Sequence, residues 1–175
     1  VLMVNFRGLA IRSYFNIAET AKMQEKPKFI SIEGNIGSGK STILKIIREN
    51  FPELTILDEP LSDWQNVGEK KNINLLELYY KDQARWGFTF QIYAFMSRLN
   101  KWMEYSQMVG RGIRISERSL LSDRRIFASI MRDTHILDEA EHSIYLQFYD
   151  HLVKTNGIIG LEGIIYVQCS PQTCQ

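Results

Sequence analysis

Residues 29–42 read Phe29-Ile30-Ser31-Ile32-Glu33-Gly34-Asn35-Ile36-Gly37-Ser38-Gly39-Lys40-Ser41-Thr42. An apolar run of strand character leads into G-x-x-x-x-G-K-S, and the amphipathic run Ile43-Leu44-Lys45-Ile46-Ile47-Arg48 follows. Strand, glycine loop and helix in that order are the context a phosphate-binding loop requires. Gly34, Gly37 and Gly39 allow positive φ, so successive N–H groups of Asn35, Ile36 and Ser38 can crowd one anion. The helix opening at Lys40 adds its free N–H groups and its positive dipole end. Lys40 is then expected to reach β- and γ-phosphates, with the Ser41 hydroxyl on Mg²⁺, and Thr42 closes the nucleotide-binding stretch. The stretch implies a site for a nucleoside triphosphate.

Outward from the loop, Phe51-Pro52 closes the helix, since proline cannot continue it. Leu54-Thr55-Ile56-Leu57 reads as a second strand running into Asp58-Glu59-Pro60. Ligands of open α/β sheets collect at the carboxyl ends of strands, which makes Glu59 a candidate general base as well as a candidate cap. Trp64 follows on an expected loop. Gly68 to Asn72 is a polar connection. Leu75, Leu76, Leu78 and Tyr79 start a helical pattern that breaks around Lys81-Asp82 and Gly87, and a longer helix is expected from Phe88 to Met108. Gln91 and Arg98 share one face of it, for which a solvated surface is a sufficient reason.

Gly110-Arg111-Gly112 reads as a turn, and Ile113-Arg114-Ile115-Ser116 as a third strand ending in Glu117-Arg118-Ser119. Two helices are expected next, over 120–131 and from Asp138 to about Lys154. The second has Asp138 and Glu141 spaced as a capping box, and Ile144, Leu146, Phe148 and Leu152 as its core face. Gly163 to Gln168 is a fourth strand. The alternation predicts an α/β fold of the P-loop NTPase type, a parallel sheet covered by helices on both faces.

Composition narrows the partners. The 175 residues carry 21 basic and 20 acidic side chains, net +1, so no field is built for a nucleic-acid backbone. No apolar run approaches the roughly eighteen residues that a membrane span needs. Cys169 and Cys174 have no companion Cys or His cluster, and His135, His142 and His151 share no metal-ligand spacing. Residues 1–22 carry Arg7, Arg12 and Lys22 against Glu19, with aromatic and aliphatic residues between, a composition that fits either an organelle transit peptide or a tail without function. The guanine-reading N-K-x-D motif is absent. Glu59, Trp64, Tyr80, Phe90, Gln91, Arg98, Glu117, Arg118, Asp123 and Phe127 supply rings to stack a base, an amide to read its edge and acids near phosphate. These suit nucleoside phosphoryl transfer.

I-E-G-N-I-G-S-G-K-S-T at 32–42, D-E-P at 58–60 with Trp64, F-T-F-Q at 88–91, E-R-S at 117–119, S-D-R at 122–124 and I-I-Y-V-Q at 164–168 resemble the deoxynucleoside kinase family over about 28–175. The resemblance implies an ATP-dependent, Mg²⁺-requiring kinase that phosphorylates the 5′-hydroxyl of a deoxynucleoside. Glu59 matches the carboxylate that takes the hydroxyl proton. Arg118 matches the arginine that neutralises phosphate charge there. Glu117 matches an acid of the magnesium site, assigned elsewhere as the base. Tyr80 matches the residue contacting the 3′-hydroxyl, Gln91 the amide on the base edge, and Phe90 and Phe127 the enclosing rings. Arg98 and Asp123 match an arginine–aspartate pair beside the base in deoxycytidine and deoxyguanosine kinases, so deoxycytidine and purine deoxynucleosides are expected ahead of thymidine. The short segment 68–77 resembles instead the insect and thymidine-type members.

The family continues into an arginine-rich lid, a further strand and an adenine loop, which this sequence does not contain. The expected organisation is therefore a tail over 1–27 and a kinase domain over 28–175 lacking its lid, with an open sheet edge. A nucleoside monophosphate kinase is the competing enzyme reading, though Glu59 stands where a second phosphate would want cations. A chain that only binds nucleotide or pairs with an intact kinase is the competing non-enzymatic one. The resemblance also implies a homodimer, in the cytoplasm or the mitochondrion.

Overall fold

The computed structural model describes residues 2–4, 28–107, 112–158, 160–170 and 172–174. The chain divides into two compact units, one of residues 1–56, 109–117 and 161–175, the other of residues 57–108 and 118–160.

The first unit holds the parallel sheet except for Leu57, the last residue of its third strand. Its strands are β1 (Leu2–Val4), β2 (Lys28–Gly34), β3 (Thr55–Leu57), β4 (Ile113–Glu117) and β5 (Gly163–Val167), in the order β1-β5-β2-β4-β3. β2 is the centre: Ile30 pairs with Ile115 on one side and Gly163 on the other. Phe29 and Ile32 on β2 are fully buried, as strands covered on two faces demand. Helix α1 (Lys40–Asn50) lays Leu44 against Ile32, Ile56, Ile115 and Val167, with Ile43 and Ile47 at the margin. Complete burial of one such side chain stabilises by about 1.5–3 kcal/mol. All four expected strands form. A fifth is added, because Leu2–Val4 pairs in parallel with 165–167 along the edge expected to be open. The rest of the N-terminal stretch read as a tail or transit peptide, together with Met108, Gly110, Arg111 and Pro171, lies outside the described residues.

The second unit is helical. It contains α2 (Leu61–Gln65), α3 (Leu75–Lys81), α4 (Gln83–Gln107), α5 (Leu120–Ser122), a π-helical turn (Asp123–Ala128), α6 (Ser129–Asp133) and α7 (Glu139–Thr155). Asn74 caps α3 by accepting from Glu77 N–H at 3.0 Å, and Asp82 accepts from Arg85 N–H at 3.0 Å to start α4. Asp138 and Glu141 form the expected capping box on α7.

Three expectations need correction. Trp64 lies on α2, not on a loop, and is 4% exposed. Gly87 does not interrupt α4. It is buried, and a Cβ there would stand 2.5 Å from the Ile136 side chain, so the glycine serves close packing. On α7 the inner stripe is His142, Tyr145 and Tyr149, whereas Ile144 and Phe148 are 43% and 50% exposed. Aliphatic content misled there, because this face of α7 meets a buried polar cluster. No described helix is long and apolar enough to cross a membrane.

Candidate active site

In the first unit the loop between β2 and α1 takes the conformation its glycines permit. Gly37 has φ +77, and a Cβ on it would meet the Cys174 carbonyl oxygen at 2.2 Å. Gly39, at φ +87, is the left-handed residue from which α1 starts, and its carbonyl accepts from Ile43 N–H at 3.0 Å. Asn35 steadies the turn, its side chain accepting from Ile36 N–H at 3.0 Å and its carbonyl from Ser38 N–H at 3.2 Å. The Lys40 ammonium folds onto the Asn35 carbonyl at 2.7 Å. Ser41 Oγ donates to both carboxylate oxygens of Glu117, at 3.0 and 3.1 Å, across 76 positions of sequence. Ser41 and Glu117, both assigned to metal on sequence, thus meet. Their hydroxyl and carboxylate oxygens are hard donors of the kind Mg²⁺ takes alongside nucleotide phosphates. The Ser38 hydroxyl is buried with no hydrogen-bond partner, which suits a polar ligand in the cradle. Thr42 follows on α1 and is exposed.

The second unit carries a charge chain. Arg98, on α4, sends Nη2 to Glu59 Oε1 and Nη1 to Asp123 Oδ2, both at 2.5 Å. Arg118 Nε lies 3.6 Å from the same Glu59 oxygen. Two carboxylates and two guanidiniums therefore balance. Asp123, 1% exposed, could not otherwise be charged at tolerable cost. Its other oxygen accepts from Gln91 Nε2 at 2.7 Å and from Tyr145 Oη at 2.6 Å. Burial pushes the Asp123 carboxyl above its ordinary range, while Arg98 and Tyr145 pull it back. Burial, then the neighbouring Asp123, raises the Tyr145 hydroxyl, which stays a donor. Arg118 has φ +62, a strained conformation for a residue with a side chain and one that clusters at functional sites.

Aromatic rings wall this chain. The Arg98 guanidinium lies 4.8 Å from the Trp64 ring centroid and 5.9 Å from that of Phe127, and Arg118 lies 4.7 Å from Phe127. Trp64 donates to Ser97 Oγ at 2.8 Å and meets Phe90 edge-on at 5.3 Å. Phe90 stacks on Tyr79 at 4.7 Å. The π turn carries both Asp123 and Phe127, and such turns recur at functional sites.

Glu59, Trp64, Phe90, Gln91, Arg98, Arg118, Asp123 and Phe127 are thus joined through direct contacts within one unit. Gln91 is 2% exposed and Arg98 is largely buried, which removes the solvated-surface reading of both. Tyr80 is not among them. It is 65% exposed and touches Tyr79, so the ring on Phe90 is the neighbour, Tyr79. Tyr145 was missed as well. Its signal was the 142, 145, 149 spacing of amphipathic side chains on α7. Among the described residues no group of three or more His, Cys, Asp or Glu side chains could hold a metal.

Residues 30–175 match the family model described as deoxynucleoside kinase. The chain belongs to that family. It is 36% identical over 156 residues to a probable deoxycytidine kinase of fowlpox virus (strain NVSL), covering 89% of this chain and 62% of that protein. Against the mitochondrial deoxyguanosine kinase of Xenopus laevis it is 34% identical over 174 residues, 91% of this chain and 65% of the relative. Against human deoxycytidine kinase the identity is 35% over 166 residues, with coverage of 84% and 63%. The chain therefore spans a little under two thirds of the length of these relatives.

Proposed function

We propose that this chain transfers the γ-phosphoryl group of ATP to the 5′-hydroxyl of a deoxynucleoside. The observation that carries the reading is the Glu59–Arg98–Asp123–Gln91 chain, which joins a candidate base to an amide within one walled cluster. An in-line attack by a hydroxyl needs a positioned base, a clamped phosphate and a metal. Glu59 accepts the hydroxyl proton, and Arg98 and Arg118 hold its carboxylate in place. Arg118 also neutralises charge developing on the transferred group. Gly34 to Thr42 bind the triphosphate through backbone N–H groups, and Lys40 leaves the Asn35 carbonyl for β- and γ-oxygens. Ser41 and Glu117 would hold Mg²⁺, which would supply neutralisation of phosphate charge. Trp64, Phe90 and Phe127 enclose the base and Gln91 reads its edge, while Tyr80, exposed in this structure, is assigned to the sugar 3′-hydroxyl on the resemblance alone.

Arg98 and Asp123 beside the base crowd a thymine methyl, so deoxycytidine and the purine deoxynucleosides are favoured. The exposed Ile144 and Phe148 on α7 support a homodimer through a helical face. One relative is named as mitochondrial, and we place this chain in the mitochondrion or the cytoplasm. The test is 5′-monophosphate formation from ATP, Mg²⁺ and each of four deoxynucleosides. Turnover of deoxycytidine or a purine deoxynucleoside above thymidine is expected. A thymidine preference would remove the Arg98–Asp123 assignment.

A further inference from the structure

We propose that Tyr145 is a positioning residue for base recognition, fixing through Asp123 which end of the Gln91 amide faces the substrate; this rests on the deoxynucleoside reading above. Tyr145 is completely buried two turns into α7, held edge-on by Phe95 at 5.9 Å. Its hydroxyl shares Asp123 Oδ1 with Gln91 Nε2, at 2.6 and 2.7 Å, while Arg98 occupies Oδ2. An ionised carboxylate only accepts, and three protein donors take up most of its lone pairs. The group that Gln91 turns to Asp123 must therefore be its NH₂, which sets the amide oxygen to the other side.

An oxygen presented to the base edge accepts from an exocyclic amine, as on cytosine or adenine. At the matching position thymine carries a carbonyl oxygen, which meets it as a second acceptor. Tyr145 is the part of this arrangement with no route to the substrate itself. Its donated hydrogen bond opposes the burial that favours protonated Asp123, and a protonated Asp123 could donate to Gln91 Oε1 and let the amide turn over.

Tyr145→Phe keeps the ring and its packing and deletes one donor. Binding of deoxycytidine, deoxyadenosine and thymidine to the full chain, read by tryptophan fluorescence, is the direct test. We expect wild type to favour deoxycytidine and deoxyadenosine over thymidine, and Tyr145→Phe to weaken binding of the first two about tenfold while thymidine changes little. The loss is expected to be greater at pH 5.5 than at pH 8. Asp123→Asn, whose amide can donate to Gln91 Oε1, serves as a second variant expected to shift the ratio the same way. A ratio unchanged in either folded variant, or an equal loss for all three nucleosides, would overturn the positioning role. Wild type that binds nucleosides without preferring deoxycytidine and deoxyadenosine to thymidine would do so too. Wild type that binds none of them would overturn the deoxynucleoside reading and this inference with it.

Discussion

Arg98 serves two carboxylates with one planar fork, a task that a lysine point charge cannot copy. Arg98→Met should leave Glu59 and Asp123 uncompensated and cost about 3–5 kcal/mol in chemical denaturation. The sign of its pH dependence follows from Asp123. With a folded pKa raised above the unfolded value, the native state holds the proton longer, so stability falls as pH rises through that window. Arg98→Met should thus lose more stability between pH 4 and 8 than wild type does, and denaturant midpoints at the two ends check it. Legibility in sequence was uneven at this scale. The phosphate loop is chemistry written in consecutive residues, and Ser41 was assigned to the metal from it, whereas Glu117 was assigned from the resemblance and its contact with Ser41 is seen in the structure alone. Glu59 was named from its place at a strand end, and Gln91, Arg98 and Asp123 took their roles from the resemblance; the burial of Gln91 and Arg98 was invisible because polar side chains at helical spacing look like a wet face. Tyr145 was hidden for the same reason.

At the scale of elements, strands and caps were readable because their signals are local: β-rich runs, Pro52, and the Asp138–Glu141 box. The π turn at 123–128 was not, since nothing in Asp-Arg-Arg-Ile-Phe-Ala separates it from an α-helix. Gly87 was misread as a break because propensity disfavours glycine in helices, whereas contact with Ile136 decides it. Gly87→Ala should therefore destabilise by about 1 kcal/mol net, overpacking outweighing the propensity gain. A urea midpoint that rises instead would contradict this. On α7, burial and then Arg132 and Arg124 hold His142 below its usual 6.5, with Asp133 opposing them. The unfolded chain then binds the proton first, so stability is lost as pH falls below about 6.5. Midpoints at pH 7.5 and 5.5 should differ in wild type and converge in His142→Gln.

At the scale of the whole molecule, membership of the deoxynucleoside kinase family and the parallel α/β architecture were both legible, the first from six motifs in unbroken order. The division into two compact units was not, since no linker or composition shift marks it. Neither was β1, whose three residues sit in a stretch that reads as a tail. The exposed Ile144 and Phe148 lead us to expect a dimer by light scattering, and a monomer for the double variant Ile144→Lys and Phe148→Glu. The most direct test of phosphoryl transfer to a nucleoside hydroxyl is 5′-monophosphate formation from deoxycytidine, ATP and Mg²⁺ by wild type and Glu59→Gln, with deoxycytidine monophosphate as the rival acceptor. Turnover of the nucleoside, cut on the order of 10²–10⁴-fold by Glu59→Gln, is the predicted result. Preference for the monophosphate, or turnover that survives Glu59→Gln, would contradict it.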